Sequence, residues 1–140
     1  MLLIINSFAR WYDYHRASLY KQRGRCYYLI MQFNEYQKNA LKTAKYPKQY
    51  KVIYPALGLA DETGEVIGKI KKWLRGDDGT DKMTKERKEA LMLELGDVLW
   101  YLSVLAKDLG YNFDDIAKAN IEKLKSRNKR GVIKGIGDNR

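Results

Sequence analysis

Cysteine and histidine are nearly absent from this sequence, and their scarcity excludes several kinds of site. A single cysteine, Cys26, allows no disulfide framework within the chain, which is typical of a reducing compartment. With His15 as the one histidine, a zinc site of His and Cys ligands within one chain is excluded, and a nucleophile activated by histidine is not expected. Any metal chemistry must therefore use oxygen ligands.

The sequence also lacks an uncharged apolar run that is long enough to cross a membrane. The most apolar stretch, 90–106, is interrupted by Glu94 and Asp97. The apolar residues 1–5 are too few for a signal peptide and have no basic region before them. We therefore expect a cytoplasmic protein without a membrane partner.

The composition that remains is that of a soluble globular protein of one domain. The 140 residues are 45% hydrophobic and 31% charged, with a formal net charge of +10. Such a charge favours an anionic partner, a nucleotide or a nucleic acid, although it also arises without specific meaning.

Residues 1–30 differ from residues 31–140. The first segment shows no clean periodicity, whereas Met31 begins a sequence typical of the start of a domain. We interpret 1–30 as an N-terminal extension of unclear status, with a genuine extra helix or an interaction arm as the alternatives, and 31–140 as the functional domain.

Four helices are predicted after residue 31. Apolar periodicity and helix-capping residues place them at 32–45 with Asn34 as a candidate cap, 56–75, 84–109 and from the cap at 112–115 to Arg127. Both prolines, Pro47 and Pro55, fall in a predicted loop over 46–55. The predicted fold is all-α, an antiparallel helical bundle with a four-helix type core. Because the third helix is apolar around most of its circumference, we expect oligomerisation to complete it.

Two pairs of carboxylates carry the chemical signal. Glu62 and Glu65 lie three residues apart on the second predicted helix, and Glu94 and Asp97 have the same spacing on the third. Each pair occupies one face of its helix, and a short turn makes the two helices antiparallel neighbours. The sequence therefore predicts that four carboxylates meet.

Their apolar surroundings point to a metal ion. Carboxylates near a core are costly and repel one another, and a divalent cation removes both problems. Ligands that are all oxygen suit Mg²⁺, or Mn²⁺ in its place. The alternative is that these are ordinary helix carboxylates paired with Lys69, Lys71 or Lys72. Gly64 and Gly96, beside the carboxylates, would permit close helix approach or leave room for a ligand.

Three segments resemble the MazG-like nucleotide pyrophosphohydrolases: Gly58 to Val66, Glu94 to Tyr101, and Asn120 to Arg127. The resemblance covers about 31–140, with Asp61 standing where many members carry Glu. It implies hydrolysis of a nucleoside triphosphate between the α and β phosphates, with Glu62, Glu65, Glu94 and Asp97 holding Mg²⁺. Glu62 or Glu65 would act as the general base. It also implies a homodimer or homotetramer.

Cations for the substrate phosphates are predicted on two segments and at the end of the second helix. Asn120, Lys123 and Arg127 form one stripe of the fourth helix, which is otherwise a solvated basic face. Lys134 and Arg140 belong to a glycine-rich tail that either approaches phosphate or frays. Lys72 is a further candidate, or complements the helix dipole.

Base recognition is assigned less specifically. Trp73, Trp100 and Tyr101 are candidates for stacking on a base, although Trp100 equally suits a core position. Gln37 is a candidate for reading a base edge, or is simply solvated.

Three other interpretations stay open at this point. A basic helical nucleic-acid-binding module would explain the charge but would leave the four carboxylates unexplained, so nucleic acid is not the expected partner. A related enzyme acting on phosphoribosyl-ATP, dUTP or dCTP alone is the second. A helical oligomer with structural carboxylates is the third.

Overall fold

The computed structural model describes residues 20–22, 25–27 and 31–134. The contacts between Cα atoms divide the chain into two compact units, Met1–Met31 and Gln32–Arg140. In the first unit, strands β1 (Tyr20–Gln22) and β2 (Arg25–Tyr27) pair antiparallel, with Tyr20 opposite Tyr27. The status of residues 1–30 as an extension stays a prediction.

The second unit is helical. Its elements are α1 (Phe33–Ala40), a 3-10 turn (Lys48–Tyr50), α2 (Ile53–Arg75), α3 (Lys85–Asp108) and α4 (Phe113–Lys129). Apart from the short hairpin, all the regular structure described is helical, which confirms the all-α fold class. None of the helices in the described part of the chain is long and apolar enough to cross a membrane.

Helix ends follow the capping chemistry for α2 and α3. Gly76 adopts the left-handed conformation (φ 69°) that ends α2, and Thr84 caps α3 by accepting a hydrogen bond from the Arg87 amide. Helix α2 begins three residues earlier than predicted. Pro55 is tolerated there because the first turn of a helix has no partner for its N–H groups.

Two predictions about α1 were wrong. The helix ends at Ala40 rather than residue 45, because the amides of Lys42, Thr43 and Ala44 bond to carbonyls only three residues back and form turns. Asn34 does not cap α1, which begins after Gln32. Its side-chain oxygen instead accepts a hydrogen bond from the Asp114 amide at 3.0 Å, so it caps α4 across the domain.

Helix α3 is the centre of the unit, because it contacts each of the other three helices. Its C-terminal half carries the core, where Val104 and Ala106 are buried together with Ala40 of α1 and Phe113 of α4. Phe113 packs edge-on against Phe33 with ring centroids 5.1 Å apart. This packing anchors α1 and α4 on one end of α3.

Helices α2 and α3 form an antiparallel pair that approaches closely at Gly58. A Cβ atom placed on Gly58 would lie 2.1 Å from the Tyr101 ring, so only glycine fits there. Of the two roles predicted for Gly64 and Gly96, close approach of the helices was wrong, since a Cβ at either position would meet nothing within 4 Å. Room for a ligand at these positions stays a prediction. The close contact therefore lies one turn before the carboxylates and leaves them an open space.

Candidate metal centre

Three of the four predicted carboxylates meet between α2 and α3. Glu62, Glu94 and Asp97 each present an oxygen, and these oxygens lie within 4.8 Å of one another. We refer to these three residues as the carboxylate cluster. Glu62 and Glu94 are partly buried and Asp97 is exposed. The cluster is thus backed by the helix pair and open to solvent on one side.

The negative charges of the carboxylate cluster repel one another. Burial raises the pKa of Glu62, and the negative charges of Asp97, Glu94, Asp61 and Glu65 raise it further, in that order. A cation placed among these oxygens would oppose all of these effects at once.

Glu65 lies beside the carboxylate cluster rather than in it. It follows Glu62 by three residues, which turns it by about 60° around the axis of α2. Its side chain is exposed, and its charge still acts on Glu62. A role for Glu65 as a ligand or as a base stays a prediction.

Lys69 supplies the one positive charge paired with the carboxylate cluster among the described residues. Its Nζ lies 3.1 Å from Glu94 Oε1, with side-chain exposures of 32% for Lys69 and 18% for Glu94. This is the pairing that the alternative interpretation of the sequence named. It accounts for Glu94 but leaves Glu62 and Asp97 without a cation at the same distance in the described part of the chain.

Two tyrosines flank the carboxylate cluster. The pKa of Tyr36 on α1 is raised by burial and by the charge of Asp97. The pKa of Tyr101 on α3 is raised by burial first, then by Tyr54, and more weakly by Glu62 and Asp61. The negative charge of the carboxylates thus acts on a tyrosine of α1 and on one of α3.

A cavity of about 300 Å³ opens next to the carboxylate cluster, toward the turn that joins α2 and α3. It is lined by Lys69, Lys72, Trp73, Asp77, Asp78, Met83, Arg87, Ala90 and Leu91. Lys69 belongs to both places, because it pairs with Glu94 and also lines the cavity.

Arg87 organises the wall of this cavity, and sequence reasoning missed it. Its guanidinium binds the Asp78 carboxylate and donates to the Lys82 and Thr80 carbonyls at 2.6 and 2.7 Å. Trp73 fixes the same turn by donating to the Asp81 carbonyl at 2.7 Å. A basic residue in the first turn of a helix is unfavourable for the helix dipole, and this feature of the sequence could have indicated that Arg87 has another role.

The other candidate phosphate ligands are spread over the molecule. Asn120 and Lys123 are exposed on α4, Lys134 is exposed after it, and Arg127 is buried with 6% exposure. No side-chain hydrogen bond or ion pair joins Asn120 or Lys123 to another described residue. Lys72 is exposed at the cavity, and Arg140 lies outside the described residues.

The candidates for base recognition have other partners. Gln37 is buried at 4% exposure and donates to the Ser103 carbonyl at 2.9 Å, so its predicted exposure to a base or solvent was wrong. Trp100 donates to Thr43 Oγ1 at 2.8 Å and packs edge-on against Tyr101. Trp73 is the one of these aromatic residues that lines the cavity.

Comparisons with known proteins agree with this geometry. A family model described as the MazG nucleotide pyrophosphohydrolase domain matches residues 55–132, which include the carboxylate cluster and Lys69. The Gene 37 protein of Mycobacterium phage L5 is 41% identical over 116 residues, 79% of this chain and 100% of the relative. YvdC of Bacillus subtilis (strain 168) is 33% identical over 72 residues, 49% of this chain and 68% of the relative. Neither name states an activity, and no solved structure matches significantly.

Proposed function

Because the chain belongs to the MazG nucleotide pyrophosphohydrolase family, we propose that it hydrolyses nucleoside or deoxynucleoside triphosphates between the α and β phosphates. The products are a nucleoside monophosphate and pyrophosphate. The observation that carries this proposal is the convergence of Glu62, Glu94 and Asp97 within 4.8 Å. The task would be sanitation or control of the nucleotide pool, and the cytoplasmic location stays a prediction.

The carboxylate cluster fits a divalent metal ion of the Mg²⁺ type. Its donors are all carboxylate oxygens, which Mg²⁺ and Mn²⁺ prefer, and burial followed by the neighbouring negative charges raises the pKa of Glu62. Glu62, Glu94 and Asp97 would hold the ion, with Glu65 as a further predicted ligand. A bound ion would supply charge neutralisation at the phosphates and acidify a water molecule.

Glu65 is the carboxylate best suited to take the proton from the attacking water. It is exposed one helical turn from Glu62 and lies outside the carboxylate cluster, so its oxygens are available to solvent. A general base must reach the water directly, and it works best when no tight partner already occupies it. Glu62, the other candidate general base from the sequence, is partly buried and interacts with several neighbouring negative charges.

The phosphates of the substrate need positive charges near the carboxylate cluster. Lys72 lines the adjacent cavity, which supports its predicted role as one of them. Asn120, Lys123, Arg127, Lys134 and Arg140 stay predicted phosphate ligands, on α4 and on the tail that follows it. A triphosphate, rather than a nucleic acid, is the partner that this combination of metal-binding carboxylates and cations favours.

We also propose that the protein acts as a homodimer or homotetramer. Helix α2 carries an exposed apolar stripe, formed by Ile53, Leu57, Ile67 and Leu74, with exposures from 59% to 72%. At 3.6 residues per turn this stripe lies opposite Glu62. A second subunit could therefore cover it without blocking the carboxylate cluster.

A substrate panel tests the proposed activity. The protein is incubated separately with the eight common NTPs and dNTPs, and with phosphoribosyl-ATP, in Mg²⁺, and pyrophosphate release is measured. We expect release from at least one of the eight NTPs and dNTPs, and its loss in EDTA. Absence of release from all eight, with the protein folded by circular dichroism, would contradict the proposal, and release from phosphoribosyl-ATP alone would favour the related enzyme instead.

A further inference from the structure

Lys69 lies where the sign of charge changes along α2. Glu62, Glu65, Lys69 and Lys72 follow one another at spacings of three, four and three residues, so they form one charged stripe on the face toward α3. At a rise of 1.5 Å per residue, the charged stripe is about 15 Å long. Glu62 at its acidic end belongs to the carboxylate cluster, and Lys69 and Lys72 at its basic end line the cavity.

Among the described residues, two environments lie within reach of the Lys69 side chain. In the structure its ammonium is paired with Glu94 at 3.1 Å, within the carboxylate cluster. The same side chain lines the cavity beside Lys72, Trp73 and Arg87. A lysine has a flexible stem of four carbons, so its charge can move by several ångströms without a change in the helix.

The cavity is a suitable second place for this ammonium only when an anion is present. The two carboxylates on its wall are already paired, Asp78 with Arg87 and Asp77 with Arg75. The other charged residues that line it are Lys69 and Lys72. Two ammonium groups in one cavity repel each other unless they share an anion such as a phosphate group.

We propose that Lys69 alternates between two partners: it neutralises Glu94 in the metal-free protein, and it binds a substrate phosphate from the cavity once a divalent cation has replaced it at Glu94. This inference rests on the proposed function and names a phosphate subsite formed by Lys69 and Lys72. A divalent cation at Glu94 would repel the Lys69 ammonium, which lies 3.1 Å from Glu94 Oε1, so metal binding would weaken the Lys69–Glu94 pair. The release of Lys69 then couples metal binding to phosphate binding.

Binding measurements on the full chain test this without turnover. Mn²⁺ affinity is measured by calorimetry for the wild type and Lys69→Met, and inorganic pyrophosphate affinity is then measured at saturating Mn²⁺. We expect Lys69→Met to bind Mn²⁺ about fivefold more tightly or better, because no ammonium competes, and to bind pyrophosphate about tenfold more weakly. Lys69→Arg should recover most of the pyrophosphate affinity.

Lys88→Met is the matched control, because Lys88 is exposed on α3 and lies six residues before Glu94. It should change neither affinity. Unchanged Mn²⁺ affinity in Lys69→Met would refute the competition, and tighter Mn²⁺ with unchanged pyrophosphate affinity would refute the phosphate role. If the wild type binds no Mn²⁺, both the proposed metal site and the proposed role of Lys69 are refuted. A wild type that binds both probes as expected but hydrolyses no nucleotide would remove only the proposed function.

Discussion

Glu62 is the residue at which burial and neighbouring charges act in the same direction. Both raise the pKa of its carboxyl group above the ordinary value. A carboxyl group whose pKa is higher in the folded than in the unfolded state favours folding most when it is protonated. That contribution is present below the unfolded pKa and is lost as the pH rises through the folded pKa.

Replacement of this charge should therefore stabilise the metal-free protein near neutral pH. In EDTA we expect Glu62→Gln to melt a few degrees above the wild type at pH 7 and no higher than the wild type near pH 4, as followed by circular dichroism. Glu89→Gln is the control, because Glu89 is exposed and, within the described part of the chain, pairs with Lys85 alone. A Glu62→Gln protein that melts below the wild type at pH 7 would show that the charge of Glu62 does not destabilise the metal-free protein.

At the scale of the helices, the close approach of α2 and α3 at Gly58 determines where the carboxylates meet. A methyl group at this position would overlap the Tyr101 ring. The ring cannot yield freely, because it also packs against Trp100 and Tyr54. Glycine is unfavourable within a helix, and this close packing explains its presence at position 58.

Gly58→Ala and Gly68→Ala should change stability in opposite directions. We expect Gly58→Ala to lower the free energy of unfolding by about 1–3 kcal/mol, since it overpacks the helix contact. Gly68→Ala should raise it by up to about 1 kcal/mol, since a Cβ there meets nothing within 4 Å and alanine favours the helix. Urea denaturation measures both, and equal effects would contradict the packing described.

The connection between α1 and α2 depends on Asp108 at the end of α3. Its Oδ2 accepts hydrogen bonds from the Tyr46 hydroxyl at 2.6 Å and from the Val52 amide at 3.0 Å. Val52 has a φ of 67°, a strained value for a β-branched residue. The bond to Asp108 holds this residue at the start of α2.

Loss of the Asp108 carboxylate should thus loosen the start of α2. We predict that Asp108→Ala lowers the free energy of unfolding by about 1–3 kcal/mol, because a partly buried amide and hydroxyl lose their acceptor. Tyr46→Phe removes one of the two bonds and should cost less. Equal losses of stability for the two variants would mean that the Val52 bond contributes nothing.

The long helices could be predicted from the sequence because local chemistry determines their ends. Thr84 and Gly76 act within their own turns, so capping rules located α3 and the end of α2. Asn34 acts on a helix eighty residues away, and no local rule predicts that. The positive φ of Val52 was equally unpredictable, since a distant carboxylate supports it.

The same division applies to the candidate site. Spacing of three residues on two antiparallel helices predicted the meeting of Glu62, Glu94 and Asp97, because helix periodicity determines which face a side chain takes. The pairing of Lys69 with Glu94 depends on the offset between the helices, which the sequence does not state. Glu65 lies outside the carboxylate cluster, turned by about 60° from Glu62 around the axis of α2.

At the scale of the whole molecule, the apolar stripe of α2 is an exposed surface of the described residues that a second subunit could cover. It contains Ile67 near its centre, at 61% exposure, and Gly64 lies on the same side with open space around it. A partner helix could approach closely at such a position. The apolar residues Met92, Leu93 and Leu95 of α3 are also exposed.

A charge in the middle of this stripe should dissociate the oligomer. By analytical ultracentrifugation at micromolar concentration we expect a dimer or tetramer for the wild type and a monomer for Ile67→Glu. Leu109→Glu is the control, because Leu109 is similarly exposed, at 54%, but lies at the end of α3. A monomeric wild type would contradict the proposed assembly.

The most direct test of the central claim is the product ratio of nucleotide hydrolysis with and without the Glu94 carboxylate. Using the best substrate of the panel in Mg²⁺, one quantifies nucleoside monophosphate, pyrophosphate and inorganic phosphate by chromatography. We predict equal amounts of monophosphate and pyrophosphate from the wild type and from Glu89→Gln, and at least about a hundredfold less from folded Glu94→Gln. Inorganic phosphate with a nucleoside diphosphate, or undiminished turnover by Glu94→Gln, would contradict the account.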